Sequence, residues 1–182
     1  MTELLYPEKS VDANLEGLKG VRMLLMDVDG VLTDGRIVYD AHGQEIKSFS
    51  VKDGMGLRLL MDAGIPVGIV TGRSSGALQH RVKDLGIDLL FDGVTDKAGL
   101  LNKISQQTGI PAGSTAFIGD DLPDIPIMKK VGVPIAVADA VPAVLAAADL
   151  VTAAKGGHGA VREVCEAVLK SHGLWERLVG KF

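Results

Sequence analysis

The chain has 182 residues, 47% of them hydrophobic, which suits one domain with a sizeable core and excludes a disordered chain. A formal net charge of −4 argues against nucleic acid as a partner, because proteins that grip a phosphate backbone carry a basic excess. The single cysteine, Cys165, cannot close an internal disulfide, so a reducing, cytoplasmic setting fits.

The opening "MTELLYPEKS" lacks a basic-then-apolar export pattern. The most apolar region, from Val131 to Ala154, is broken by Pro134, Asp139, Pro142 and Asp149 and does not read as a membrane span. "VRMLLMDV" reads as the first strand. "GRIVYDAHGQEIKSFSV" (35–51) is polar and β-prone, and reads as a β-hairpin with Gly43 at its tip. The hairpin is either a solvated excursion, a flap over the end of the first strand, or a strand pair that joins another subunit. A helix follows over "DGMGLRLLMDAG", then a strand at "PVGIVTG" and a helix at "SGALQHRVKDLG". Next come a strand at "DLLFDG", a helix at "DKAGLLNKISQQTG" and a strand at "TAFIGD". A short helix near "DIPIMKK", a strand at "VPIAVAD", a helix after Pro142 and a short strand at "DLVT" continue the alternation. A Gly-rich stretch "AKGGHGAVRE" opens a C-terminal helical tail (153–182) and is either a loop leading into the helix or a mobile lid. Cys165 in "VREVCEAVL" reads as an inert core thiol, and His42, His80 and His172 as solvated surface residues.

Alternating strands and helices predict βαβ units in an α/β fold: a doubly wound parallel sheet in a single domain spanning 1–182. In such sheets the working groups lie beyond the carboxyl ends of the strands. Those ends carry Asp27 and Asp29; then Thr71, Gly72 and Arg73; then Asp96-Lys97 at a helix start; then Asp120 and Asp121, with Asp124 close behind. Several carboxylates in one crevice require a compensating cation. A small set of hard oxygen ligands suits Mg²⁺, which keeps some water and shares itself with phosphate. A hydroxyl, an ammonium and free backbone N–H groups suit phosphate oxygens. A carboxylate can attack phosphorus, and a second one two residues on can handle the proton.

In "DVDGVLTDG", "TGR", "DK" and "GDDLPD" the chain resembles the haloacid dehalogenase superfamily phosphatases. The resemblance implies Asp27 as nucleophile, Asp29 as general acid and base, and Thr71 and Lys97 as phosphoryl-binding groups. It implies Mg²⁺ held by Asp27, the backbone carbonyl of Asp29 and Asp120, with Asp121 and Asp124 supporting Lys97 and the metal's waters. Aspartate at position 29, where family members that need no general acid carry threonine, points to a phosphatase. The gaps after the first motif and between the second and third leave no room for a cap domain. "DGVLTDG", "FSVKDGMGLRLL", "VTGRSS" and "KGGHGAVRE" are similar to the capless members that hydrolyse 3-deoxy-D-manno-octulosonate 8-phosphate in lipopolysaccharide precursor synthesis. That similarity implies a homotetramer assembled through the hairpins. It also implies a substrate shell of Asp29, Ser50, Val51, Lys52, Asp53, Gly54, Arg58, Arg73, Arg81 and Lys97 around a small phosphorylated sugar acid.

Other readings stand beside it. A nine-carbon keto-sugar acid 9-phosphate is the nearest substrate alternative, and a non-catalytic tetramerisation module is a second. "GRSSG" also matches the Gly-x-Ser-x-Gly elbow of a serine esterase built on Ser74, although helix capping by Ser74 or Ser75 accounts for the same residues. Asp34, past the strand end, is expected to position the loop and not to bind metal.

Overall fold

A computed structural model of the protein describes residues 7–182; most of the N-terminal stretch read above for an export signal lies outside them. Strand β1 (Met23–Met26) sits inside a six-stranded parallel sheet. All four of its side chains are at most 1% exposed, which is why the sequence there is an unbroken apolar run: the strand is covered on both faces. The chain then makes a separate antiparallel hairpin, β2 (Val38–Tyr39) and β3 (Glu45–Ile46). It returns to the sheet through β4 (Val67–Val70) and β5 (Leu89–Phe91) on one side of β1. It crosses to β6 (Thr115–Gly119) on the other side and runs outward through β7 (Val133–Ala136) and β8 (Leu150–Val151). The order is β5-β4-β1-β6-β7-β8, so the winding reverses at β1 and opens a crevice at the carboxyl ends of β4, β1 and β6.

The flanking helices are α1 (Leu15–Leu18), α2 (Val51–Asp62), α3 (Gly76–Leu85), α4 (Leu100–Thr108), α5 (Ile125–Met128), α6 (Pro142–Ala147), α7 (Ala160–Ser171) and α8 (Trp175–Val179). Their ends follow local chemistry. Ser50 and Ser75 cap α2 and α3, their Oγ atoms accepting the N–H of Asp53 at 3.3 Å and of Leu78 at 3.1 Å. The second of these caps is the role the sequence offered as the plain account of "GRSSG".

Several features differ from the sequence reading, were missing from it or were left open by it. The helix expected from Asp96 begins only at Leu100, because the Asp96 carboxylate accepts the Gly99 N–H at 2.9 Å and holds Asp96–Gly99 as a turn. Lys97 therefore stands on a turn ahead of the helix. Near the N-terminus, Ser10 bridges to Val151 and extends the sheet past β8, while Lys9 Nζ donates to the carbonyls of Leu145 and Ala148 at the end of α6. The stretch "AKGGHG" forms a loop leading into α7. The Gly157 N–H donates to Val31 O at 2.9 Å and the Gly156 N–H to Asp139 Oδ1 at 3.0 Å.

Helix α7 packs along α2. Its own N-cap, Gly159, has no side chain to offer, and Asp53 of α2 supplies the missing acceptor by taking the Arg162 N–H at 2.8 Å. Cys165 is fully buried beside this contact, and burial raises its thiol pKa well above the ordinary value, so it stays an inert core thiol. His172 is half-buried at the end of α7 with Nε2 enclosed and without a hydrogen-bond partner, contrary to the expected solvated surface position.

The Gly-rich loop is also a steric joint. A Cβ at Gly156 would lie 1.7 Å from the carbonyl oxygen of Gly30, in the loop that follows β1. Gly156→Ala is expected to force the two loops apart and cost about 1–3 kcal/mol, as overpacking does. At roughly 2–4 °C per kcal/mol for a chain of this size, thermal unfolding should show a drop of several degrees.

Candidate active site

Asp27 follows β1 directly and keeps the strand's ladder, its N–H donating to Ile118 O at 3.0 Å. The next residue, Val28, is 1% exposed and packs inward, so Asp27 and Asp29 both turn toward the crevice. Thr71, at the end of β4, is buried, and its N–H and carbonyl tie it to Phe91 and Val94. With Arg73, Lys97, Asp120, Asp121 and Asp124, these residues line one pocket of about 220 Å³.

Lys97 anchors its centre. Nζ lies 2.7 Å from Asp124 Oδ1 and 3.0 Å from Asp27 Oδ1, with only 4% of the side chain exposed. Burial works against the charged ammonium, but Asp27 and Asp124 outweigh it and hold its pKa above the usual lysine value. Asp124 is fully committed: its other oxygen accepts the Asp120 N–H at 2.9 Å and the Asp121 N–H at 3.4 Å. Asp121 caps the short turn Leu122–Asp124, accepting the Leu122 N–H at 2.7 Å.

One carboxylate oxygen from each of Asp27, Asp120 and Asp124 lies within 4.8 Å of the others. Asp120 Oδ1 is enclosed without a hydrogen-bond partner. An enclosed oxygen without a donor, among carboxylates that repel one another, fits a hard divalent cation. Because the oxygens of Asp124 are taken by Lys97 and backbone N–H groups, Asp27 and Asp120 are the groups left to face such an ion. Burial raises the pKa of Asp27; burial, reinforced by the charges of Asp124, Asp27 and Asp121, pushes Asp120 up to about 8. Gly30 makes room for the cluster: with φ at +90°, a Cβ there would stand 2.0 Å from Asp120 Oδ2. Asp34 accepts the Arg36 N–H at 3.1 Å and shapes its own loop, as expected.

The hairpin reaches this pocket. Lys47, with 2% of its side chain exposed, pairs with Asp29 Oδ1 and lies 3.3 Å from Glu45. Arg73 lies 2.8 Å from Glu45 and 3.6 Å from Asp29 Oδ2. Neither Lys47 nor Glu45 was singled out in the sequence. The available signal was their two-residue spacing in "QEIKS", which puts both on one face of a strand.

The remaining sequence-predicted residues gather elsewhere. Val51, Gly54, Arg58 and Arg81 line a neighbouring cleft that shares no lining residue with the acidic pocket. Arg81 donates to Ser50 O at 3.0 Å and lies over the Phe49 ring, while Arg58 donates to Asp84 O. Lys52 is exposed, and Asp53 is buried against α7, not turned toward the pocket. The esterase reading fails on geometry: the His158 ring pairs with the Gly156 carbonyl at 2.8 Å and makes no hydrogen bond to Ser74.

The reversal of the sheet at β1 and the acidic crevice beside Lys97 define the class, and the chain belongs to the haloacid dehalogenase-like hydrolases, whose family signature matches residues 90–164. It is 45% identical over 156 residues to the 3-deoxy-D-manno-octulosonate 8-phosphate phosphatase KdsC of Haemophilus influenzae, covering 86% of this chain and 87% of that protein. The Escherichia coli K12 phosphatase of the same name is 41% identical over 163 residues, covering 90% of this chain and 87% of its own. The 3-deoxy-D-manno-octulosonate 8-phosphate phosphatase of Moraxella catarrhalis, solved with a magnesium ion, a phosphate ion and KDO, superposes with a TM-score of 0.89 at 40% identity. That match covers 92% of this chain and 97% of the other.

Without a bound cation, the raised Asp120 pKa sets a pH dependence. The folded protein holds a proton there that the unfolded chain releases above the ordinary carboxylate pKa. The stabilising effect is therefore complete below about pH 4 and is lost as pH rises to about 8. The metal-free protein should melt at progressively lower temperature over that interval. Added Mg²⁺ should raise the melting temperature more at pH 8 than at pH 5, and Asp120→Asn should remove both effects in the same thermal scans.

Proposed function

We propose that the protein is a Mg²⁺-dependent phosphatase that hydrolyses 3-deoxy-D-manno-octulosonate 8-phosphate to the free sugar acid and phosphate, in lipopolysaccharide precursor synthesis. The observation that carries this reading is the convergence of Asp27, Thr71, Lys97 and Asp120 on one pocket, with an enclosed Asp120 oxygen left to face a cation.

In this reading an Asp27 carboxylate oxygen attacks phosphorus and the bond to the sugar oxygen breaks. Asp29 gives its proton to the departing alkoxide. A water then attacks the same phosphorus, Asp29 takes its proton, and the bond to Asp27 breaks to release phosphate. Lys97 and Thr71 hold the phosphoryl oxygens throughout. Asp27, Asp120 and the Asp29 backbone carbonyl would hold Mg²⁺, with Asp121 and Asp124 supporting Lys97 and the surrounding water. When bound, the ion offsets the carboxylate charge and draws charge from the phosphoryl oxygens.

Arg73 lines the pocket, and in this reading its guanidinium fork meets the sugar acid's carboxylate. Val51, Gly54, Arg58 and Arg81 belong to a cleft of their own, and in this reading assembly completes the substrate shell. The hairpin's exposed Ile37, Val38, Tyr39 and Ile46 support a homotetramer formed through it. The chain acts as a single domain in the cytoplasm.

Hydrolysis of p-nitrophenyl phosphate should require Mg²⁺ and stop with EDTA, and Asp27→Asn should lower kcat/KM about a thousandfold or more. Across a panel of sugar phosphates, the eight-carbon keto acid should give the highest kcat/KM. A flat profile, or a preference for the nine-carbon acid, would overturn the substrate assignment.

A further inference from the structure

Asp29, Lys47, Glu45 and Arg73 close a ring of alternating charge. Lys47 pairs with Asp29 Oδ1 and with Glu45; Arg73 pairs with Glu45 and lies 3.6 Å from Asp29 Oδ2. Two properties separate this ring from an ordinary surface network. Lys47 is almost fully enclosed, with 2% of its side chain exposed, so its ammonium is held by these carboxylates and not by water. The ring is also asymmetric at Asp29: Lys47 hydrogen-bonds Oδ1, while Oδ2 makes no hydrogen bond and has the more distant Arg73 guanidinium beside it. One oxygen of the carboxylate is fastened and the other is held less tightly.

We infer that Lys47, itself held by Glu45, is the positioning residue that fixes the Asp29 carboxylate so that Oδ2 alone exchanges protons with the leaving oxygen and the incoming water. The inference rests on the role of Asp29 in the reading above, and extends it to a hairpin that contributes to catalysis from outside the sheet. β3 and the residue after it put Glu45 and Lys47 on the inner side of the hairpin and Ile46, 53% exposed, on the outer side. Arg73 connects the ring to the end of β4, so the hairpin and the sheet hold Asp29 from two directions. A proton donor displaced by about an ångström loses much of its effect, and the loss is greatest where the leaving group most needs the proton.

The test compares esters that differ in that need. For Lys47→Met, kcat/KM on an alkyl phosphate is expected to fall about tenfold to a hundredfold. On p-nitrophenyl phosphate, whose leaving group departs without a proton, the change should stay within about threefold. Across a series of aryl phosphates the dependence of kcat/KM on leaving-group basicity should steepen. Lys47→Arg should restore part of the alkyl activity, and Glu45→Gln should reproduce the pattern in weaker form. Glu45→Gln also carries the test if Lys47→Met does not fold. Equal losses on both ester types, or a change confined to KM, would overturn the positioning role in favour of a structural or direct substrate contact. A wild-type protein that hydrolyses neither ester with Mg²⁺ would instead overturn the phosphatase reading itself, so the two failures are distinguishable.

Discussion

The architecture is organised around a repulsion. Three carboxylates, Asp27, Asp120 and Asp124, converge within 4.8 Å and share a single enclosed ammonium, Lys97. No side chain in the described cluster supplies the rest of the charge compensation, and the raised pKa values of Asp27 and Asp120 express that deficit. Such a cluster forms only where the backbone imposes it. The parallel ladder fixes Asp27 beside the ends of β4 and β6, and a turn built on Asp121 and Asp124 holds Asp120 in place. The apolar core supplies the driving force, and the strand ends convert it into a site that is incomplete without a cation and an anionic substrate.

Much of the fold and the inner site was legible because each rests on a periodic or local rule. Continuous apolar runs identified the strands, and glycines at left-handed positions such as Gly86 ended helices where expected. Once a doubly wound sheet is inferred, the convergence of Asp27, Thr71, Lys97 and Asp120 follows from topology alone. What escaped depended on packing between distant segments. The N-terminal stretch around Ser10 has no strand signal of its own and gains one bridge only because β8 is open beside it. The inward turn of Lys47 follows from where the hairpin docks, which no local pattern of its residues determines. For Arg58 and Arg81, spacing placed them correctly on helices, but only the structure shows that they face a different cleft.

The hairpin illustrates how a period of two divides the labour of a short element. Its inner side carries Glu45 and Lys47 into the charge ring, while its outer side exposes Ile46, with Val38 and Tyr39 exposed on the paired strand. The described residues include no cap domain, and the hairpin supplies a polar wall for the pocket and an apolar outer face from the same few residues. The two faces are mechanically linked, since a shift of the strand register by one residue would exchange them.

The cap that Asp53 provides to α7 bears on the order in which the molecule is completed. Asp53 and its partner Arg162 are 109 residues apart, and the carboxylate is buried only when α7 has docked on α2. During synthesis the start of α2 emerges long before the helix it must cap. Until then its carboxylate stays hydrated and the apolar face of α2 uncovered. Helix α7 thus closes the face of a sheet encoded upstream of it, and a late segment of the chain locks down the one that immediately follows the hairpin.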